Sequence, residues 1–175
     1  MSESVNPMMM PRITKICINI GVGEGGDRLV NAESVLEMVS GVKPQRTVGK
    51  IQNRDLKVRL GAPIGCKATL RKSEKIHQFI TDAFSCRENV IPSWNFDREG
   101  NLSFGIRDYT DFPGQKYDPD IGIYGMDITV VLERPGHRVS RRRRAKSKVA
   151  MTHRLTADES REWFKANYNI TILEE

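Results

Sequence analysis

The fold is decided by the stretch ITKICINIGVGEGG, residues 13–26, in which an alternating segment runs into a glycine-rich one. Ile16, Ile18 and Ile20 are separated by single residues of a different character. Because successive side chains of a strand point to opposite faces, this pattern predicts a β-strand with one buried face. The glycines predict a tight turn, after which Asp27 is placed to cap a helix with an apolar repeat.

The same two patterns recur along the rest of the chain. Further strands are predicted over residues 42–49, 64–71, 102–106, 126–132 and 169–173, and further helices over residues 73–84 and 156–167. Residues 88–100 are predicted to be irregular. Strands with one polar face indicate an open, mostly antiparallel sheet. The sequence therefore predicts a two-layer α+β fold with helices packed on one face of that sheet.

This fold is expected to form one domain, preceded by an N-terminal arm. The predicted domain covers residues 12–175, and residues 1–11 are predicted to form a flexible N-terminal arm. A chain of 175 residues is long enough for one hydrophobic core.

The polar faces of the predicted strands indicate a surface suited to sugars and phosphates. Its members are Lys15, Asn19, Gln45, Thr47, Lys67, Thr69, Arg71, Ser103, Arg107 and Thr129. A plain solvated sheet face is the alternative interpretation. Because this set holds no aromatic residue, it favours binding a folded RNA by its backbone and shape over stacking on bases.

The positive charge is confined to one segment. The chain carries a net charge of +6, yet outside residues 134–154 it holds 19 cations against 22 acids. The cations inside are Arg134, Arg138, Arg141, Arg142, Arg143, Arg144, Lys146, Lys148 and Arg154. Such a block favours an anionic partner. Without Trp, Phe or Tyr it would make a poor membrane helix, so the sequence predicts nucleic acid and no membrane, with the segment ordered only on RNA. A general nucleic-acid-binding or nuclear module is the alternative.

Catalytic and metal-binding constellations are not apparent. The run GVGEGG, residues 21–26, matches the dinucleotide pattern GxGxxG, which keeps a nucleotide-dependent enzyme as an alternative. Against it, the preceding strand alternates and Glu24 would repel phosphates. No ligand set forms around the histidines, so no cofactor or metal is predicted. Cys17, Cys66 and Cys86 are scattered, which fits a reducing compartment and a cytoplasmic protein.

Two loops are candidates for contacts with partners. Residues 50–63 join two predicted strands and carry Lys50, Arg54, Lys57 and Arg59 against one acid. Loops of this length are usually functional or disordered, so this one is either a finger that touches a second RNA or a flexible loop. The loop over residues 108–120 is acidic and could meet a basic protein.

Several longer stretches occur together in one order. They are NPM (6–8), PRI (11–13), NIGVGEGGDRL (19–29), PIG (63–65), GNLSFGI (100–106), YDPDIGIYGM (117–126) and LERPG (132–136), followed by the arginine run. Over residues 6–173 the chain thus resembles the universal large-subunit ribosomal protein family that binds 5S rRNA, in its archaeal and eukaryotic form. The resemblance implies a non-enzymatic, cytoplasmic, ribosome-bound protein. It also implies contacts with 5S rRNA, large-subunit rRNA, P-site tRNA, other proteins of the central protuberance, and a head protein of the small subunit through a bridge.

The resemblance also implies particular residues. The 5S rRNA contact carries over to Asn19, Thr47, Thr69 and Arg71, and the strand alternation adds Lys15 and Lys67. The tRNA contact carries over to Lys50, Arg54 and Arg59. The chain departs from the family pattern where Val42 replaces a glutamine, with Gln45 close by, and where Ile51 and Leu56 replace a basic and an aromatic residue.

Overall fold

The structure is a computed structural model that describes residues 6–173. Residues 1–5 of the predicted arm and the last two residues of the predicted domain lie outside this range. Residues 7–10 form a turn, in which the Met9 amide donates to the Asn6 carbonyl, before the first strand begins at Arg12.

Seven strands and four helices make up the described chain. The strands are β1 (Arg12–Gly21), β2 (Gln45–Val48), β3 (Pro63–Leu70), β4 (Val90–Pro92), β5 (Leu102–Ile106), β6 (Met126–Glu133) and β7 (Thr171–Leu173). The helices are α1 (Asp27–Ser40), α2 (Ser73–Ser85), α3 (Arg138–Arg141) and α4 (Ala157–Tyr168). Five strands form an antiparallel sheet in the order β2-β3-β1-β6-β5, whereas β4 and β7 form a separate parallel pair. The predicted α+β fold with a mostly antiparallel sheet is confirmed.

The core lies between one face of the large sheet and the helices. Ile16, Ile18 and Ile20 are buried on that face, as the alternation in β1 predicts. Phe84 of α2 joins the layers, because its ring centroid lies 5.6 Å from that of Phe104 on β5 and 6.2 Å from that of Phe164 on α4. A fully buried side chain of this size contributes about 1.5–3 kcal/mol to stability, so the helices are held firmly on this one face.

The helix ends follow from local chemistry. Gly26 precedes α1 with a φ of 91°, so the predicted cap by Asp27 is wrong. Asp27 is instead the first helical residue, where its charge favours the positive end of the helix dipole. At α4 the predicted capping box is confirmed, since Thr156 and Glu159 each bond the other's backbone amide.

The predicted elements differ from the structure in two places. The segment 88–100, predicted to be irregular, contains β4 and one turn of 3₁₀ helix at Ser93–Asn95. Three residues are too few for a periodic pattern, and β4 is fixed by its distant partner β7. The second predicted strand, 42–49, shrinks to Gln45–Val48 because Pro44 carries no amide hydrogen for a ladder.

Candidate nucleic-acid interface

The face of the large sheet opposite the helices is polar, and the strand register arranges its residues in rows. One row, read from β2 to β5, is Gln45, Lys67, Asn19, Asp127 and Gly105. The next row is Thr69, Cys17, Thr129 and Ser103. We call this surface the open face. It brings together the predicted residues of β1, β2 and β3, with Lys15 at one end. Arg71 directly follows β3 and is exposed.

A third row contains a flat strip. Thr47 pairs with Gly65, which pairs with Gly21. A Cβ atom at Gly65 would lie 2.6 Å from the Ile20 carbonyl oxygen and 3.1 Å from Thr47 Oγ1, so only glycine fits there. Gly65 itself is buried, whereas Gly21 in the same row is exposed with nothing within 4 Å of its Cβ position, so the backbone is open to close approach at Gly21.

The predicted contact residues have free hydrogen-bonding groups. Within residues 6–173, no hydrogen bond or ion pair involves the side chain of any predicted 5S contact residue. These residues are Lys15, Asn19, Thr47, Lys67, Thr69 and Arg71. On the open face only Ser103 and Thr129 bond to each other, at 3.2 Å. A face with this many unused donors can take up the oxygen atoms of a sugar–phosphate backbone.

Arg46 provides a contrast on the other side of the same strand. It points toward α1, where it donates to both carboxylate oxygens of Glu33 at 2.5 and 3.0 Å. These hydrogen bonds hold the pKa of Glu33 below its usual value. Arg46 is thus paired with Glu33 of α1, whereas its neighbour Thr47 faces the open side.

Asp127 belongs to the open face, although the sequence analysis did not include it. It lies between Met126 and Ile128, both buried, and is itself exposed. The alternation that assigned Thr129 to the polar face also applies to Asp127. This alternation is therefore the sequence signal for Asp127, which differs from the predicted contact residues in its negative charge.

The loop over residues 50–63 has structure of its own. The amides of Asn53 and Val58 donate to each other's carbonyl groups at 3.0 and 2.9 Å, and the amide of Gly49 donates to the Ala62 carbonyl at 2.8 Å. The Asn53 side chain also accepts from the amides of two following residues, which closes the tip. The predicted hairpin-like finger is therefore a hydrogen-bonded projection. Lys50, Arg54 and Arg59 are exposed on it, as are the apolar Ile51 and Leu56.

The basic segment, residues 134–154, is partly held by carboxylates of the fold. Arg134 bonds Glu159 at 3.1 Å, Arg154 bonds Glu99 at 2.9 Å, and Arg141 bonds Glu133. Ion pairs therefore tie three positions of this segment to β6, α4 and the loop before β5, whereas the prediction that the segment orders only on RNA stays a prediction. The remaining cations have no carboxylate partner within residues 6–173 and are exposed. They are Arg138, Arg142, Arg143, Arg144, Lys146 and Lys148.

A groove of about 650 Å³ joins the open face to the basic segment. Lys15 and Val131 line it from the sheet, and Lys146 and Lys148 line it from the segment. In total, five Lys or Arg side chains and two carboxylates line the groove. The positive charge of the segment is thus continuous with the sheet surface.

The glycine-rich turn serves the fold. The amides of Val22 and Gly23 both donate to the Ile64 carbonyl, at 3.0 and 2.8 Å. These two amides are therefore not available to a pyrophosphate. Gly23 and Gly26 adopt φ values of 80° and 91°, which explains the glycines.

The described residues provide neither a metal site nor a membrane-spanning helix. No three His, Cys, Asp or Glu side chains between residues 6 and 173 are grouped so that they could hold a metal ion. None of the helices in that range is long and apolar enough to span a bilayer.

We expect Cys17 to be the first of the three thiols to react with iodoacetamide at pH 8. Burial raises the pKa of both the Cys66 and the Cys86 thiol to about 11, so roughly one molecule in a thousand carries the reactive thiolate. Cys17 is only partly buried and faces the open side. Mass spectrometry of digested, partly labelled protein tests this. Faster labelling of Cys86 than of Cys17 would contradict the raised pKa of the Cys86 thiol.

Sequence comparisons connect this arrangement to known proteins. Residues 6–59 match the family described as Ribosomal protein L5, and residues 63–160 match the model for the C-terminus of the same ribosomal family. The chain is 48% identical over 168 residues to the large ribosomal subunit protein uL5 of Methanosphaera stadtmanae, covering 96% of this chain and 99% of the relative. It is 45% identical to the same protein of Sulfurisphaera tokodaii over 99% and 98% of the two chains. For Thermoplasma volcanium the identity is 44% over 97% and 99%.

Proposed function

The chain belongs to the ribosomal protein L5 family, and from this premise we propose that it binds 5S rRNA on its open face and helps attach it in the central protuberance. Membership of the family makes the chain a structural, non-enzymatic constituent of the large ribosomal subunit, bound to ribosomes in the cytoplasm. The observation that carries the 5S proposal is the set of free donors and cations on the helix-free side of the sheet.

The chemistry of these side chains suits a folded RNA. Lys15, Lys67 and Arg71 supply positive charge for phosphates, and Asn19, Thr47 and Thr69 supply neutral groups that can bond ribose and phosphate oxygens. The exposed Gly21, in the same row as Thr47, lets an RNA backbone approach this end of β1 closely. With no aromatic residue on this face among the described residues, binding depends on backbone and groove shape.

The basic segment extends the same surface. Its six exposed cations without carboxylate partners would neutralise phosphates of large-subunit rRNA or of the 5S rRNA itself. The groove beside Lys15 offers a continuous path from the open face to these residues. We therefore propose that the segment increases the affinity for RNA, whereas the open face determines which RNA is bound.

Two further contacts belong to this proposal. The finger over residues 50–63 would touch P-site tRNA through Lys50, Arg54 and Arg59, which are exposed on a hydrogen-bonded projection. The exposed acids Asp111, Asp118 and Asp120 in the 108–120 loop offer charge for a basic head protein of the small subunit.

A salt series of 5S rRNA binding, with tRNA and duplex DNA as competitors, tests the proposal. We expect 5S binding at physiological salt to survive an excess of both competitors, because neutral groups on the open face add contacts that do not depend on counterion release. Equal competition by all three nucleic acids, with binding that collapses as salt rises, would contradict it. That result would leave the basic segment as a general nucleic-acid-binding module.

A further inference from the structure

We propose that Asp127 determines the specificity of the open face by excluding phosphate from its β6 side and accepting a hydrogen bond from an RNA 2′-hydroxyl. This inference rests on the proposed binding of 5S rRNA to that face. Asp127 is acidic, so phosphate binding alone would give it no role.

The position of Asp127 is fixed by the register. Its Cα partners are Asn19 on β1 and Gly105 on β5, so it stands in the middle of the sheet and not at an edge. Gly105 has no side chain, and a Cβ atom there would lie 3.5 Å from Asp127 Oδ1. The carboxylate is exposed and faces the same side as the predicted contact residues.

No cation of the described chain neutralises this carboxylate. Lys67 is in the same row but two strands away, about 10 Å by the usual strand spacing. Arg107 is nearer, since it follows β5 on the same side as Gly105, yet no ion pair joins it to Asp127 within residues 6–173. Asp127 is thus a carboxylate without an ion-pair partner among residues 6–173, whereas Glu133, further along the same side of β6, is paired with Arg141.

This charge divides the open face chemically. A phosphate over β6 would be repelled by Asp127, whereas phosphates over β3 and β1 would meet Lys67, Arg71 and Lys15. An ionised carboxylate can only accept hydrogen bonds. The groups of an RNA that can donate from its shallow groove include the 2′-hydroxyl of every ribose, which DNA lacks. The RNA would therefore place the phosphates of one strand over β3 and β1. The 2′-hydroxyls at the edge of its shallow groove would lie over β6.

Asp127→Asn tests the proposal, because it keeps the shape of the side chain and removes its charge. Glu162→Gln on α4 is the matched control, since Glu162 is exposed on the helix side and loses the same charge. Binding of 5S rRNA, tRNA and an RNA and a DNA duplex of one sequence would be measured for each variant, with thermal unfolding to check the fold.

We expect Asp127→Asn to lower the ratio of RNA-duplex to DNA-duplex affinity by about tenfold and to lower selectivity for 5S rRNA with it, because the neutral amide accepts a weaker bond from the 2′-hydroxyl than a carboxylate does and no longer repels DNA phosphates. Glu162→Gln should leave both ratios unchanged. An unchanged RNA-to-DNA ratio in Asp127→Asn would overturn the inference. If the unsubstituted chain itself fails to select 5S rRNA, the proposed function fails instead, so the two failures are distinguishable.

Discussion

The double variant Thr69→Ala, Arg71→Ala is expected to bind 5S rRNA about a hundredfold more weakly than the unsubstituted chain at physiological salt. Arg71 would lose a charge-assisted bond to phosphate, and Thr69 would lose a hydroxyl bond in the row that also contains Cys17. Neither side chain has a hydrogen-bond partner in residues 6–173, so their removal should not destabilise the fold. Filter binding or a gel shift at several salt concentrations provides the measurement.

The matched control for this variant is Thr81→Ala, Lys116→Ala. It also removes one threonine and one cation, but Thr81 lies on α2 and Lys116 beside α1, both on the helix side. We expect this control to bind 5S rRNA within about twofold of the unsubstituted chain, because distant surface charges are screened. Equal loss in both double variants would show that total charge, and not the open face, governs binding.

Replacing Arg142, Arg143 and Arg144 by alanine is expected to have the second largest effect, and it should act on affinity without altering selectivity. If each arginine neutralises one phosphate, the loss of affinity between 50 and 200 mM salt should become about 40-fold smaller than in the unsubstituted chain. Competition by tRNA and by duplex DNA should weaken in parallel. A salt series with the three nucleic acids checks this.

A second triple variant tests whether the paired arginines of the basic segment hold it in place. Arg134, Arg141 and Arg154 are paired with carboxylates of the fold, so replacing them by alanine should loosen the segment and expose it to proteolysis. Arg142, Arg143 and Arg144 have no such pairs, so their removal should leave proteolysis unchanged. Equal proteolytic sensitivity in the two triple variants would contradict the ion-pair arrangement.

The parts of this fold that depend on local pattern could be predicted from the sequence. The alternation in β1 predicts both the buried isoleucines and the outward position of Asn19, because a strand has a period of two wherever it lies in a sheet. The capping box at Thr156 is equally local. The sequence alone therefore placed the predicted contact residues on one face, strand by strand.

The parts that depend on distant partners could not be predicted. The order of the basic segment rests on pairs such as Arg154 with Glu99, which lie 55 residues apart. β4 exists because β7 pairs with it from the far end of the chain. The position of Asp127 beside Asn19 required the strand order, which places β6 next to β1. In each case the structure depends on which distant segments contact each other, and a local sequence pattern does not specify such contacts.

Protection of Cys17 by bound RNA tests the central claim most directly, because this thiol lies in the middle of the open face between Thr69 and Thr129. The rate of its alkylation would be measured with and without saturating 5S rRNA, and a Glu162→Cys variant would report the helix side. We predict that 5S rRNA slows alkylation of Cys17 at least tenfold and leaves alkylation of the thiol introduced on α4 unaffected. Unchanged alkylation of Cys17 in a fully formed complex would contradict the claim, since the RNA would then be bound elsewhere on the protein.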